Sequence, residues 1–123
     1  MEILSSNKAP QAIGPYSQAI KSGNFIFCSG QIALNTDGEV VGETVEDQTK
    51  QVLENIKNLL IDIGSGLEKV VKTTIFLTDI NDFPKVNEIY GEYMAHKPAR
   101  STVAVASLPK NVKIEIEVIA EII

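Results

Sequence analysis

Apolar positions recur along this chain with two different periods. From residue 45 to 63, Val45, Val52, Ile56, Leu59, Leu60 and Ile63 keep the spacing of one helix face, while Glu46, Lys50, Glu54 and Lys57 fall opposite. Thr44 stands where an N-cap belongs, with Asp47 three residues on in a capping-box arrangement, and Gly64 follows as a C′ glycine. A second stripe, Phe83, Val86, Ile89 or Tyr90, Tyr93 and Met94, predicts a second helix capped by Asp82, with Pro84 in its first turn. Gly91 in its middle costs about 1 kcal/mol against alanine, and the expected reason is a close approach to a sheet.

The other apolar runs have period two. Residues 14–22 open on a Gly-Pro turn signal and stop at Gly23-Asn24; residues 25–29 form a β-rich run ended by Gly30. Residues 31–34 read as a further short strand before an Asn35-Thr36-Asp37-Gly38 turn. Residues 70–78 predict a strand with Val71, Thr73, Ile75 and Leu77 on one face and Lys72, Thr74 and Phe76 on the other. The last third predicts a hairpin, two strands connected through residues 108–112. Its core face would carry Ser101, Val103 and Val105 with Ile114, Ile116, Val118 and Ala120; Arg100, Thr102 and Ala104 would lie opposite with Glu115, Glu117 and Ile119. Strands, helix, strand, helix, strand, strand make an α+β two-layer sandwich, with a mixed β-sheet covered on one face by both helices. The uncovered face, half apolar and carrying fixed charges, is a candidate subunit interface, with a solvated face as the alternative.

Composition narrows the function classes. The 123 residues suit one domain, 1–123, burying roughly 65% of its unfolded surface. Eleven basic against sixteen acidic side chains leave a net charge of −5, which argues against a nucleic-acid partner. A single cysteine excludes an internal disulfide framework. Residues 1–7 show neither a basic nor an apolar leader region, and no apolar run approaches the ~18 residues of a membrane span. A cytoplasmic protein with no membrane partner is expected. One histidine, one cysteine and no metal-ligand cluster point to chemistry without metal, cofactor or covalent nucleophile. Cys28, inside an apolar strand, reads as a small buried hydrophobe; His96 reads as a favourable charge at a helix C-terminus. The glycine-rich 64–66 segment lacks phosphate-loop spacing and reads as a helix stop.

Several separated motifs carry a further signal: Ala12-Ile13-Gly14-Pro15-Tyr16-Ser17-Gln18, Ser29-Gly30-Gln31, Val71-Lys72-Thr73-Thr74, Asn81-Asp82-Phe83 with Val86-Asn87, Pro98-Ala99-Arg100-Ser101, and Val112-Lys113-Ile114-Glu115-Ile116-Glu117. In this order, over nearly the whole chain, they resemble the RidA/YjgF family of small imine deaminases. The resemblance implies a chorismate-mutase-like α+β fold and a homotrimer with active-site clefts between subunits. It also implies hydrolysis of 2-aminoacrylate and related 2-imino acids (2-iminopropanoate, 2-iminobutanoate) to 2-keto acids and ammonia. Arg100 matches the family's carboxylate-binding arginine. Tyr16, Asn87 and Glu115 match polar residues lining the cleft, and Gly30 matches a glycine whose backbone contacts the ligand. Thr102 stands where relatives often have cysteine, a position whose backbone carbonyl holds substrate or water, and residues 93–98 are shorter than in many relatives. The chemistry is sensible from the residues alone: a guanidinium grips a small carboxylate bidentately, and Glu115 orients or deprotonates one water. The rival reading is a non-catalytic small-carboxylate-binding regulatory or chaperone-like module using the same clefts. The duller readings are Arg100 as the ion-pair partner of a glutamate at a subunit interface, and Asn87 bonding locally or facing solvent.

Overall fold

The structure, a computed structural model, describes residues 1–122. The stretch after Thr44 forms helix α1, Val45–Asp62, and the Thr44 side chain accepts from the Asp47 N–H at 3.1 Å. Its apolar stripe, including Val52, Leu53, Ile56, Leu59 and Leu60, is fully buried. At its C-terminus the Ser65 N–H bonds the Leu60 carbonyl at 2.8 Å and the Gly64 N–H bonds that of Ile61 at 3.5 Å. Gly64 has φ +95°, so the glycine-rich segment is a Schellman stop, as its composition suggested.

Helix α2, Phe83–Tyr93, starts with Pro84 in its first turn and buries Val86, Ile89 and Tyr90. Asp82 does not cap it with its side chain. A 3₁₀ turn, Ile80–Asp82, runs straight into the helix, so Asp82 already has helical dihedrals in place of the extended ones that a capping side chain needs. Asp79 caps that turn instead, accepting from the Asn81 N–H at 2.9 Å. Gly91 faces open space, with nothing within 4 Å of where a Cβ would stand, so it does not mark a close approach to the sheet.

Six strands form one mixed sheet: β1 Glu2–Leu4, β2 Ala19–Ser22, β3 Phe25–Cys28, β4 Val70–Leu77, β5 Ala99–Ala104 and β6 Ile114–Glu121, in the order β1-β2-β3-β6-β4-β5. Only β4 and β5 are parallel. β1 had no signal in the sequence, being three residues at the sheet's edge. Residues 31–34 form two isolated bridges, Gln31 to Ile116 and Leu34 to Val40, not a strand; the buried Asn55 side chain donates to the carbonyls of Ile32 and Leu34 there. In β4 a register shift between Val70 and Lys72 puts Val70, not Val71, in the core.

The expected hairpin does not form. β4 lies between β5 and β6, pairing parallel with the first and antiparallel with the second. The β4–α2–β5 segment is a helix crossover, which delivers its second strand parallel and adjacent to its first. Residues 105–113 then carry the chain past β4 to its other side, a longer connection than tight hairpins use. The face assignment inverts with it. Arg100, Thr102 and Ala104 stand beside Thr73, Ile75 and Leu77 on the helix-covered face, whereas Ser101 and Val103 stand beside Thr74 and Phe76 on the open face. Both helices cover one face, and the open one carries Phe25, Phe27 and Val103, each between 42% and 45% exposed, among Glu115, Glu117 and Ile119.

Candidate active site

Arg100 comes from the edge strand β5 and reaches beneath α2. Its Nη1 donates to Asn87 Oδ1 at 2.6 Å, and its Cζ lies 5.0 Å from the centre of the Phe83 ring and 5.1 Å from that of Tyr90. Phe83, Asn87 and Tyr90 are four and three residues apart, so one face of α2 presents all three. The Tyr90 hydroxyl is hydrogen-bonded to Thr73 Oγ1 at 2.8 Å in the interior, and Thr73 is the β4 residue beside Arg100. Asn87 is exposed, and its side-chain oxygen is taken up by the guanidinium. No carboxylate neutralises Arg100: among the described residues the one ion pair is Lys8 with Asp62, at 3.8 Å. Two residues along the same face, Thr102 Oγ1 is buried without a hydrogen-bond partner.

Gly30 and Glu115 form a second group, with Tyr16 in the loop tied to the residue before Gly30. Tyr16 follows the Gly14-Pro15 turn, its N–H bonded to the Gly14 carbonyl at 2.9 Å, and its side chain is 54% exposed. Ser29 ties this loop to the end of β3 through the carbonyls of Ser17 and Gln18, and Gly30 comes next. A Cβ at Gly30 would lie 2.6 Å from Glu115 Oε2, so the carboxylate occupies the space that glycine leaves free. Burial raises the Glu115 pKa above the ordinary carboxylate range, with the Glu117 charge adding to the effect.

The two groups are not brought together within one chain. Glu115 stands beside Phe76 on the open face, and Arg100 beside Thr73 on the covered face. The sequence reading placed them on one face of a hairpin; the intervening β4 and the inverted face of β5 separate them. A hollow of about 190 Å³ on the open face is lined by Phe27, Cys28, Lys72, Thr74, Glu117, Val118 and Ile119, and includes neither group. Cys28 is buried, its thiol pushed up to about 12 by desolvation, in line with an inert core residue. His96 follows the end of α2, and its Nε2 is 2.9 Å from the Val70 carbonyl. Sequence reasoning missed Phe83, Tyr90 and Thr73 as parts of the Arg100 site. Their spacing along α2 with Asn87 was the available signal, but both aromatics were absorbed into the core stripe.

A family model described as endoribonuclease L-PSP matches residues 6–122. Reactive Intermediate Deaminase A, chloroplastic, from Arabidopsis thaliana is 55% identical over 97% of this chain and 65% of that longer protein. The chain belongs to the Rid family. A Rid family protein of unknown function from Yersinia pestis has a solved structure that matches with a TM-score of 0.95, 48% identity and 98% coverage of both chains. The structure of E. coli TdcF with bound serine matches with a TM-score of 0.91, 41% identity and 98% coverage of both. The chorismate-mutase-like α+β fold of these Rid structures is the fold described above. No helix of the described residues is long and apolar enough to cross a membrane.

Proposed function

We propose that the protein is a deaminase that hydrolyses small reactive 2-imino or enamine acids, such as 2-iminopropanoate and 2-iminobutanoate, to 2-keto acids and ammonia. The observation that carries this reading is the unneutralised Arg100, half-buried and oriented by a neutral amide, with N–H groups left for an incoming carboxylate. A similarity to a protein named for deamination of reactive intermediates and to one crystallised with serine supports an amino-acid-sized ligand. Arg100 holds the carboxylate; Asn87 holds Arg100. Water adds to the imine carbon as the π pair moves to nitrogen, with Glu115 taking a proton from the water and passing it to nitrogen. The carbinolamine then gives its hydroxyl proton to Glu115, which passes it to the amine, and the oxygen pair forms the C=O bond as the C–N bond breaks and ammonia leaves. Imines are already electrophilic, so positioning supplies much of the acceleration.

The separation of the two groups supports a site completed by a second copy, Arg100, Asn87 and Thr102 from one protomer facing Tyr16, Gly30 and Glu115 of its neighbour, in a homotrimer. The exposed apolar residues of the open face, Phe25, Phe27 and Val103, support association of identical chains. The experiment couples the protein to a threonine dehydratase and follows 2-ketobutyrate. Wild type is expected to accelerate its formation beyond the dehydratase alone, and Arg100→Ala is expected to abolish that acceleration while remaining folded. No acceleration by wild type would leave a non-catalytic carboxylate-binding module; full activity of Arg100→Ala would remove Arg100 from the mechanism.

A further inference from the structure

Arg100 sits on an edge strand, where nothing in β5 itself fixes a long, flexible side chain. A guanidinium gains as a carboxylate clamp only when its plane is already set, because an unrestrained fork must be immobilised during binding. Asn87 holds one nitrogen, and a single hydrogen bond leaves rotation about that bond. The additional constraint comes from the rings of Phe83 and Tyr90, 5.0 and 5.1 Å from the guanidinium carbon, within the range of cation–π attraction. The two rings differ. Phe83 is at the first turn of α2 and only partly buried, whereas Tyr90 is buried and its hydroxyl is bonded to Thr73, the residue beside Arg100 in the sheet. Strand β4 thereby holds the Tyr90 ring in place at its far end, and the ring in turn faces the arginine of the next strand.

We propose that Tyr90, tethered to Thr73, is a positioning residue that presets the Arg100 guanidinium for a carboxylate. The inference rests on the reading of Arg100 as the carboxylate clamp and adds to it the residue that sets its plane. Tyr90 acts through Arg100 and touches no reacting atom. Its effect falls on binding, equally in the ground and transition states, so KM changes and kcat does not. The tether also explains why a polar pair stands in the core beneath the site: each hydroxyl satisfies the other, and the ring cannot swing away without breaking a buried hydrogen bond.

The experiment compares Tyr90→Leu, Tyr90→Phe and Arg100→Ala by titration with 2-ketobutyrate, by imine-deamination kinetics, and by the side-chain Nε–H resonance of Arg100 in ¹⁵N-labelled protein. Tyr90→Leu is expected to weaken 2-ketobutyrate binding and raise KM by roughly threefold to thirtyfold, to leave kcat in place, and to shift the Arg100 resonance out of the ring-current range. Tyr90→Phe keeps the ring but loses the tether to Thr73, and its affinity is expected to fall between wild type and Tyr90→Leu. A folded Tyr90→Leu protein with wild-type affinity overturns the inference, and a Tyr90→Phe protein with wild-type affinity overturns the part assigned to the tether. Should leucine prevent folding, Tyr90→Met takes its place under the same criteria. Wild-type affinity in Arg100→Ala would overturn the clamp itself and this inference with it. Loss of binding in Arg100→Ala alone, with Tyr90→Leu intact, would overturn the positioning role and leave the clamp standing.

Discussion

Arg100 is half-buried and paired with a neutral amide, with no carboxylate partner among the described residues, and that mismatch between charge and partner is what the proposed clamp rests on. Thr102 shows a second mismatch, a buried hydroxyl without a partner, which ordinarily costs about 1–3 kcal/mol. Thr102→Val keeps the shape and removes the orphan, so urea unfolding is expected to show unchanged or higher stability, with deamination retained if only the backbone at 102 meets substrate. Glu115 carries the pH signature. Its pKa is raised by burial first and by Glu117 second, so the folded state holds the proton more tightly than the unfolded chain. The contribution to stability is therefore present below the ordinary carboxylate value and is lost as pH rises through the raised one. Glu115→Gln removes this loss: the variant is expected to equal wild type in stability at acid pH and to exceed it at neutral pH, and, if Glu115 is the proposed base, to lose deamination. Equal stability profiles across that range would remove the assigned cause. Arg100, Asn87, Glu115, Gly30, Tyr16 and Thr102 could all be named from the sequence because their motifs are local. Gly30's reason could not, since the Glu115 carboxylate that fills its missing side chain comes from a strand 85 positions away.

Helix α1 was readable end to end because its signals are contained within it: a threonine cap, an apolar stripe and a glycine stop. Gly64→Ala is expected to cost roughly 1–2 kcal/mol, the penalty for forcing a Cβ into the left-handed region, and a shifted urea midpoint at constant m-value would show it. Open space around Gly64 means that backbone conformation alone sets this cost. The terminal strands behaved differently. Alternation in 99–104 and 114–121 correctly separated Arg100 and Thr102 from Ser101 and Val103, but alternation has no sign: it says which residues share a face, not which face is covered. For β6 the aliphatic set Ile114, Ile116, Val118 and Ala120 settled that question. In β5 the aliphatic residue Val103 lies in the set that ends on the open face, so burial preference pointed the wrong way, and the decision passed to α2, which lays Phe83, Asn87 and Tyr90 over the arginine side.

Two helices on one face of a six-stranded sheet leave the other face without cover, and here that face carries Phe25, Phe27 and Val103 in the open. Phe27→Glu, adding a carboxylate to a face already holding Glu115 and Glu117, tests the proposed trimer: it is expected to reduce the mass in solution to that of one chain and to abolish the proposed deamination. A monomer retaining full activity would overturn the shared site. The two-layer α+β architecture followed from the order and periodicity of segments, which local backbone preference and burial dictate. Strand neighbours did not follow. Whether β5 pairs with β4 or β6, and hence whether Arg100 and Glu115 share a face, depends on a helix crossover packing against the sheet. That is a long-range choice among pairings whose local hydrogen bonds are equivalent, and only the packed chain distinguishes them.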